Sequence, residues 1–435
     1  FAHGRTANKP LVIFRLDGES FSMVDSSNTE LTSVSGGVVD DENGMWMTSL
    51  HNGVYFVRNP QVRSLTDSIG SVPIIGIQNI GNKVWVATEE NKLYSINSTS
   101  LLVKKFSDIN GDIYTITKAK NKLIAITNVR EERTDDVQTI KGYGSVLVHR
   151  DSTWYIHLGN LYLDVNGLTV DSSNYGIDKI ETYTRLCKKG KWMYMGTLNG
   201  LRKYEIEKKI LVEEKAVNSQ INHRVNQILN LRNLLIVATN GAGLYFLNAE
   251  DSIVGRITTN NGLSSDFCNS IYLQNDSTCW VSTNRGVGKV SFRIQGDSVL
   301  YEVSALNASH GLISNEVLFC SVANDRLFVG TKKGLCFLNL SNQYINETSP
   351  KVHIERLMVN DSIVNAQIAN KFSYDQNDFR LFFAGLTFKT INKYSFKYRL
   401  LKDKEKKDYA YSNQPMIQFA DLGSGDYRFE VLAIN

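Results

Sequence analysis

One short sequence motif recurs along the chain and constrains its fold more than any other feature. The clearest copy is 327–338, Leu-Phe-Val-Gly-Thr-Lys-Lys-Gly-Leu-Cys-Phe-Leu, in which two apolar runs flank a polar turn that ends in glycine. Two apolar runs around such a turn predict a β-hairpin. A weaker copy begins at Leu123, and its returning strand is predicted at 144–148 after an inserted loop. Five further copies begin at Met45, Val84, Met193, Leu235 and Trp280.

The spacing between copies indicates the architecture. The step from Trp46 to Trp85 is 39 residues, and the step from Leu235 to Trp280 is 45. Repeats of roughly 40–50 residues built of short strands are typical of a β-propeller. The step from Leu123 to Trp192 is 69 residues, so that part of the chain carries an insertion or a further blade. We therefore predict an all-β protein with a seven-bladed β-propeller over residues 1–348, with eight blades as the alternative count.

A strand is predicted before the first hairpin, at 11–15, followed by a turn at Asp17 and Gly18. It has no obvious partner hairpin. Two interpretations remain open: residues 1–18 are the remnant of a preceding blade, or the strand closes the ring by pairing with the last blade. We favour the first interpretation or an extra edge strand, because the hairpin at 327–338 already supplies the outer strands of the last blade. The tryptophans of the hairpin strands, Trp46, Trp85, Trp192 and Trp280, are interpreted as core between blades, because side chains alternate inward along strands.

Polar turns precede several hairpins and lead into strands that we expect to be the innermost of their blades. Side chains in these turns would lie at the mouth of the central channel, where an arginine would suit an acidic sugar. For Asp266 and Asn315 the alternative is structural, because short polar side chains bond the nearby backbone in turns. The channel-mouth candidates for ligand binding are His223, Arg224, Asp266, Asn315, Tyr183 and Arg185.

An aromatic stretch between Asp151 and Ile177 adds two more candidates, Trp154 and Tyr155. Aromatic side chains on loops of a rigid scaffold are frequent binding residues. The stretch equally fits a small extra hairpin or an eighth blade.

The pattern changes at Pro350. Strictly alternating strands at 351–359, 379–383, 394–400, 416–419 and 427–432 predict a second domain over residues 349–435, an immunoglobulin-like β-sandwich.

Composition and motif spacing argue against several functions. A net charge of +4 with no clustered basic face disfavours nucleic-acid binding. Five cysteines without a CxxC pair support neither a disulfide framework nor a zinc site, and we interpret them as small buried apolar residues. No HExxH or Gly-x-Ser-x-Gly motif occurs, and Asp266 with Glu316 is too unspecific to nominate as a carboxylate pair. No catalytic residue, metal ligand or cofactor is therefore predicted.

The repeats resemble a known family. Residues 41–46, Asp-Glu-Asn-Gly-Met-Trp, and the Thr-x-x-Gly-Leu hairpins resemble the two-component-regulator propeller repeat, and the Gly-Leu-x-Ser turns at Gly262 and Gly311 are similar to its linker element. Residues 349–435 resemble the triple-tyrosine domain that follows such propellers, through 398–400 (Tyr-Arg-Leu), 422–431 and the tail 433–435. Phe419 stands where that family often has tyrosine, and the tryptophan expected near Tyr409 is missing.

The resemblance implies a periplasmic sensor region of a membrane-bound regulator, such as the hybrid two-component systems of Bacteroidota. It implies an oligosaccharide ligand, a homodimer, no direct nucleic-acid contact, and a sandwich next to a membrane span beyond Asn435. In some relatives a cytoplasmic DNA-binding module replaces the kinase. The alternatives are a propeller enzyme acting on carbohydrates and a protein-interaction scaffold, although no Trp-Asp dipeptide of the scaffold type is present.

Overall fold

The protein is described from a computed structural model, and its contacts divide the chain into two compact units. One unit is Gln61–Gln343, and the other combines Phe1–Pro60 with Tyr344–Asn435. The predicted domain boundaries, 1–348 and 349–435, stay predictions. The structure describes residues 11–17, 20–27, 34–40, 44–51, 53–57, 59, 61–106, 111–119, 122–128, 136–141, 145–149, 152–157, 160–165, 168–171, 182–205, 212–214, 217–296, 298–341, 351–365, 371–386, 395–402 and 408–434.

The described residues before Pro60 form two antiparallel sheets. The strand predicted at 11–15 pairs with the next strand of the chain in a hairpin, so the prediction that it lacks a partner is wrong. The Met45 hairpin is confirmed as the second and third strands of a three-stranded sheet. The strands are β1 (Leu11–Asp17), β2 (Ser20–Ser27), β3 (Val34–Val39), β4 (Met45–Ser49) and β5 (Gly53–Val57).

The described residues of the unit Gln61–Gln343 form seven small sheets. The strands and the short helix up to the third sheet are β6 (Arg63–Ser64), α1 (Thr66–Ile69), β7 (Ile74–Ile80), β8 (Lys83–Thr88), β9 (Leu93–Asn97), β10 (Val103–Phe106), β11 (Ile113–Ala119), β12 (Lys122–Thr127), β13 (Val137–Lys141), β14 (Val146–His149), β15 (Ser152–His157), β16 (Asn160–Val165) and β17 (Leu168–Asp171). The remaining strands are β18 (Tyr183–Lys189), β19 (Trp192–Thr197), β20 (Gly200–Glu205), β21 (Val212–Glu214), β22 (Val225–Leu231), β23 (Leu234–Thr239), β24 (Leu244–Leu247), β25 (Ile253–Ile257), β26 (Cys268–Asn275), β27 (Thr278–Thr283), β28 (Gly286–Gln295), β29 (Ser298–Leu306), β30 (Val317–Ala323), β31 (Arg326–Thr331) and β32 (Gly334–Asn339). Single 3-10 turns at Thr259–Asn261 and Ala308–His310 precede β26 and β30.

The first strands of successive sheets lie side by side. Strand β7 contacts β11, β18 contacts β22, β22 contacts β26, β26 contacts β30, and β30 contacts β7 again. The last sheet also contains β6 as its fourth strand, with Ser64 opposite Cys336, so the two ends of the unit are fastened together. Six apolar clusters each combine residues of two successive sheets, as expected for sheets stacked face to face. Trp280 and Trp85 are buried in two of these clusters, which confirms their predicted core role.

The recurring hairpin has a chemical explanation. The hydroxyls of Thr197, Thr283 and Thr331 donate to the carbonyl three residues later, at 2.8–3.1 Å, and accept from the amide two residues later. The glycine that ends each turn has a positive φ, 132° at Gly286. A Cβ there would lie 2.3 Å from the carbonyl oxygen of Leu306. The motif therefore needs threonine to bond the turn and glycine to let the next segment approach.

Two predictions for 123–177 are decided by the strand pairing. The third strand beside β12 is β13, which pairs with it in parallel, so the returning strand predicted at 144–148 is wrong. Residues in that range begin a separate sheet, β14–β15–β16–β17, which also takes up most of the aromatic stretch. This part of the chain thus carries a further sheet, one of the interpretations left open by the sequence.

The chain after Lys351 forms two antiparallel sheets of orders β34-β33-β35-β38 and β37-β36-β39. The predicted strands are confirmed, and those predicted at 379–383, 394–400 and 427–432 extend two or three residues further. Phe383, Phe396 and Ala433 form a buried core with residues of both sheets. No helix among the described residues is long and apolar enough to cross a membrane. The strands are β33 (Lys351–Val359), β34 (Ser362–Val364), β35 (Phe379–Leu386), β36 (Ser395–Lys402), β37 (Ala410–Ser412), β38 (Met416–Phe419) and β39 (Tyr427–Ile434).

Candidate functional site

The first strands of six sheets in the unit Gln61–Gln343 share an irregularity near their start. The pairing register with the second strand shifts between Tyr183 and Arg185, between Val225 and Gln227, and at the equivalent positions of β7, β11, β26 and β30. Such a β-bulge leaves one residue out of the ladder and changes the direction of its side chain. The bulged residues of β18, β22 and β26 are Thr184, Asn226 and Asn269.

These bulged side chains connect one sheet to the next. The hydroxyl of Thr184 donates to the carbonyl oxygen of Val225 at 2.6 Å. The Nδ2 of Asn226 donates to the carbonyl of Cys268, and that of Asn269 to the carbonyl of Val317, both at 2.8 Å. Each bond joins a bulge to the start of the next first strand, so this end of the unit is a linked scaffold. The sequence pattern did not predict these roles, although Thr184, Asn226 and Asn269 are each the second residue of their strand.

Two arginines lie together on this scaffold. Arg185 follows the bulge of β18 and is partly buried, and its Nη1 donates to the carbonyl of Thr184 at 2.8 Å. Arg224 directly precedes the neighbouring strand β22 and is exposed. Burial, followed by the positive charge of Arg224, lowers the pKa of Arg185 from 12.5 to about 10. Arg185 remains protonated at neutral pH, so the two guanidinium groups place two positive charges close together.

An exposed aromatic ring lies on the adjoining sheet. Phe267 precedes β26 and is 47 % exposed. Asn240 lies between Phe267 and Arg224. Its backbone amide donates to the Arg224 carbonyl at 2.8 Å, and it forms a β-bridge with Phe267. A Cβ on Gly241 would contact the rings of both His223 and Phe267 at 3.7–3.9 Å, so both rings lie beside this glycine, which we call the glycine floor. We call Arg185, His223, Arg224 and Phe267 the rim patch.

Asp266 and Asn315 have structural roles in two equivalent loops. Asp266 accepts from the Thr259 amide at 2.7 Å, and Asn315 accepts from the Ala308 amide at 2.8 Å. Each bond closes a loop that contains a 3-10 turn. The residue after the turn, Gly262 or Gly311, has the left-handed backbone conformation. The structural alternative considered for these residues therefore accounts for their positions. Glu316 forms an ion pair with Lys332 at 3.0 Å.

The three aromatic candidates lie elsewhere. Tyr183 and Trp154 are 6 % and 3 % exposed and belong to one apolar cluster between sheets. Tyr155 stacks on Tyr162 with ring centroids 5.5 Å apart, on the second and third strands of their sheet. The structure thus brings Arg185, His223 and Arg224 together and leaves these aromatics outside the rim patch. Phe267 takes the aromatic role there, although its neighbours Asp266 and Cys268 give the sequence no apolar pattern that would single it out.

A shallow concavity lies away from the rim patch, against the outer strand β10. Its lining includes Ser68, Tyr94, Leu102 and Lys105. The Tyr94 hydroxyl is used in a bond to the carbonyl of Ile69 at 3.4 Å. With a single charged side chain, this concavity offers little for specific recognition. Among the described residues, no group of three or more His, Cys, Asp or Glu side chains could hold a metal ion.

Comparisons with known proteins give distant likenesses of fold. No protein-family model and no curated sequence matches the chain. The extracellular domain of the hybrid two-component system BT3049 of Bacteroides thetaiotaomicron is similar over 95% of this chain at 16% identity, with a TM-score of 0.43. This chain spans 61% of that structure's length.

Two further structures are similar. The extracellular domain of the one-component system BT4673 of the same species is similar over 100% of this chain and 95% of its own, at 14% identity with a TM-score of 0.27. The WD40 β-propeller domain of Doa1 is similar over 61% of this chain and 92% of its own, at 9% identity with a TM-score of 0.45. The structural neighbours of this chain therefore include extracellular domains of two-component systems and β-propellers.

Proposed function

We propose that the chain is a ligand-sensing region of a membrane-bound regulator of the hybrid two-component type, located in the periplasm. In this proposal the seven sheets between Gln61 and Gln343 are the blades of a seven-bladed propeller. Its channel mouth recognises an oligosaccharide. The neighbour contact between β30 and β7 and the pairing of β6 with β32 support a closed ring.

The rim patch is the observation that carries the proposal. Sugar sites combine a flat apolar face with polar groups that donate several hydrogen bonds. Phe267 supplies an exposed ring, and the two guanidinium groups supply donors in a fixed fork geometry. The bonds from Thr184 and Asn226 hold the strands that carry these side chains, so the site is preorganised.

In the same proposal the C-terminal sheets are an immunoglobulin-like, triple-tyrosine sandwich that transmits the signal in a homodimer. Two details support the resemblance. The Tyr427 hydroxyl donates to the carbonyl of Gly423 at 3.0 Å, the backbone contact of a tyrosine corner. Tyr398 packs against Phe419 and Phe429, with both centroid distances at 6.5 Å, so Phe419 occupies an aromatic position although it lacks the family's hydroxyl. Transmission requires that the ligand bind two orientations of the dimer with different affinities.

A thermal-shift screen against neutral and acidic oligosaccharides tests the sensor proposal, with the sugar recovered afterwards and analysed for cleavage. A ligand at a hundred times its dissociation constant stabilises the folded state by about 2.7 kcal/mol. We expect a raised melting temperature and an intact sugar. Cleavage of the sugar would show that the protein is an enzyme and would contradict the sensor proposal. If no sugar binds while a protein partner does, the chain is an interaction scaffold.

A further inference from the structure

We propose that the rim patch selects an anionic sugar, a uronate or a sulfated residue, whose charged group is held between Arg185 and Arg224. The inference rests on the proposed function and adds the chemical class of the ligand. It starts from the position of the two arginines on neighbouring first strands, β18 and β22, which the bond from Thr184 to Val225 holds in register.

The surroundings of Arg185 favour an anion. Within the described part of the chain its guanidinium donates to the carbonyl of Thr184 at 2.8 Å, and most of its five N–H donors are left for another acceptor. The charge that acts on Arg185 in the described part of the chain is the second cation, Arg224. Two like charges at one partly buried place repel each other, and an anion between them relieves that repulsion. Carboxylate and sulfate oxygens match the guanidinium fork.

The remaining residues of the rim patch fit the rest of such a sugar. Phe267 presents an exposed ring beside the glycine floor at Gly241. His223 also lies beside that glycine, and its imidazole nitrogens can hydrogen-bond the hydroxyl groups of a sugar. Any Cβ at Gly241 would narrow the space between the two rings, so this glycine keeps the floor open.

Isothermal titration tests the inference with short oligogalacturonides, their carboxyl-reduced neutral counterparts, and sulfated galactan oligosaccharides. We expect an acidic sugar to bind at least tenfold more tightly than the neutral counterpart, with an affinity that weakens as salt is added. Preference for galacturonides assigns a carboxylate ligand, and preference for the sulfated probe assigns a sulfate ligand. If only neutral sugars bind, the anionic inference is overturned and the sensor proposal stands. If no sugar of any kind binds, both fail.

Variants locate the site. Arg185→Gln and Arg224→Gln should each weaken binding about 10- to 100-fold, since a hydrogen bond to a charged group is lost. Arg185→Lys keeps the positive charge but lacks the planar guanidinium fork, so its affinity for the acidic sugar should lie between those of wild type and Arg185→Gln. Arg293→Gln is the matched control, because Arg293 is exposed on the third strand β28 and its loss changes the net charge equally.

The ligand-free Arg224→Gln protein should melt at an equal or higher temperature than wild type, because Arg224 is exposed and the substitution removes a cation that repels Arg185. This distinguishes a binding role from a structural one, in which the variant would unfold at lower temperature. Acidic-sugar binding that survives both glutamine substitutions would overturn the assignment of Arg185 and Arg224.

Discussion

Thr184 donates its hydroxyl to the carbonyl oxygen of Val225 at 2.6 Å, and this bond joins the bulge of one first strand to the start of the next. Both residues are buried, at 8 % and 0 % exposure, so neither group can turn to water instead. The bond also fixes the backbone on which Arg185 and Arg224 are mounted. It is therefore a contact that links the stability of the unit to the geometry of the rim patch.

Thr184→Val should lower the free energy of unfolding by about 1–3 kcal/mol, because it leaves the buried Val225 carbonyl without its hydroxyl donor. Thr184→Ser keeps the hydroxyl and removes one methyl group, so it should cost at most about 0.8 kcal/mol. Urea denaturation of both variants gives the comparison. Equal losses for valine and serine would show that the hydrogen bond contributes nothing.

Gly286→Ala should destabilise the protein by several kcal/mol, beyond the usual cost of a left-handed alanine, which is about 1 kcal/mol. The added Cβ would lie 2.3 Å from the Leu306 carbonyl oxygen, and that backbone belongs to the neighbouring strand β29. Gly296 is the control, because its φ is 58° and a Cβ there meets nothing within 4 Å. The melting temperatures of Gly286→Ala and Gly296→Ala show how much of the destabilisation comes from the steric clash and how much from the backbone conformation. If both variants lower the melting temperature equally, the clash with Leu306 is not the cause.

The hairpins were predictable because their chemistry is local. Thr283 and Gly286 lie three residues apart, and the hydroxyl-to-carbonyl bond between them forms within the turn itself. Each copy of the motif therefore carries its own structural information, and the apolar runs on both sides specify the strands. The strands after Lys351 were predictable for a similar reason, since their alternation records which face is buried.

Pairings between distant segments were not predictable in this way. Strand β6 consists of Arg63 and Ser64 alone, too short to show any periodicity, yet it completes the last sheet. Strand β13 pairs with β12 in parallel, whereas the hairpin repeat predicted an antiparallel return. In the rim patch, Arg185 and Arg224 could be nominated from their place in the repeat. Phe267 could not, because its place beside Gly241 involves a β-bridge to Asn240, a pairing that no local sequence pattern indicates.

Lys203→Met should cost about 3 kcal/mol of unfolding free energy, because it removes the ion-pair partner of the buried Asp251 carboxylate and leaves only the more distant charge of Lys189 near it. The Lys203 Nζ lies 2.9 Å from Asp251, whose side chain is 7% exposed and also accepts from the Tyr194 hydroxyl at 2.7 Å. Lys191→Met is a matched control. The ammonium groups of Lys191 and Lys203 both lie about 5 Å from the centre of the Trp192 ring. The ion pair of Lys191, however, is with Glu205 at the surface, where the Lys191 side chain is 49% exposed.

Loss of the exposed pair at Lys191 should cost about 0.5 kcal/mol or less. Chemical denaturation of both variants measures the difference. Asp251→Asn combined with Lys203→Met should recover part of the loss, because the buried carboxylate is then no longer present without its ion-pair partner. A double variant as unstable as the sum of its single changes would show that the two side chains do not act as a pair.

Cys320 should make the protein less stable in alkali. Burial raises the pKa of its thiol from 9.0 to about 12, with a small opposing effect from Ser282. Between those two values the unfolded chain has lost the thiol proton and the native chain retains it. The native state therefore binds more protons, and its stability falls as pH rises, by about 1.4 kcal/mol per pH unit for one thiol. This contribution is fully present below pH 9 and declines above it.

Cys320→Ala should therefore reduce the slope of unfolding free energy against pH above about 9 by that amount, whatever its effect on stability at neutral pH. Urea midpoints measured for both proteins from neutral to alkaline pH give the two slopes. The groups that both proteins share, including Cys336 with its pKa raised to about 12 by burial, cancel in the comparison. If the two curves of unfolding free energy against pH run parallel, the Cys320 thiol ionises equally in the folded and unfolded chains. We do not expect this result, because Cys320 is buried among Val317, Val329 and Leu338.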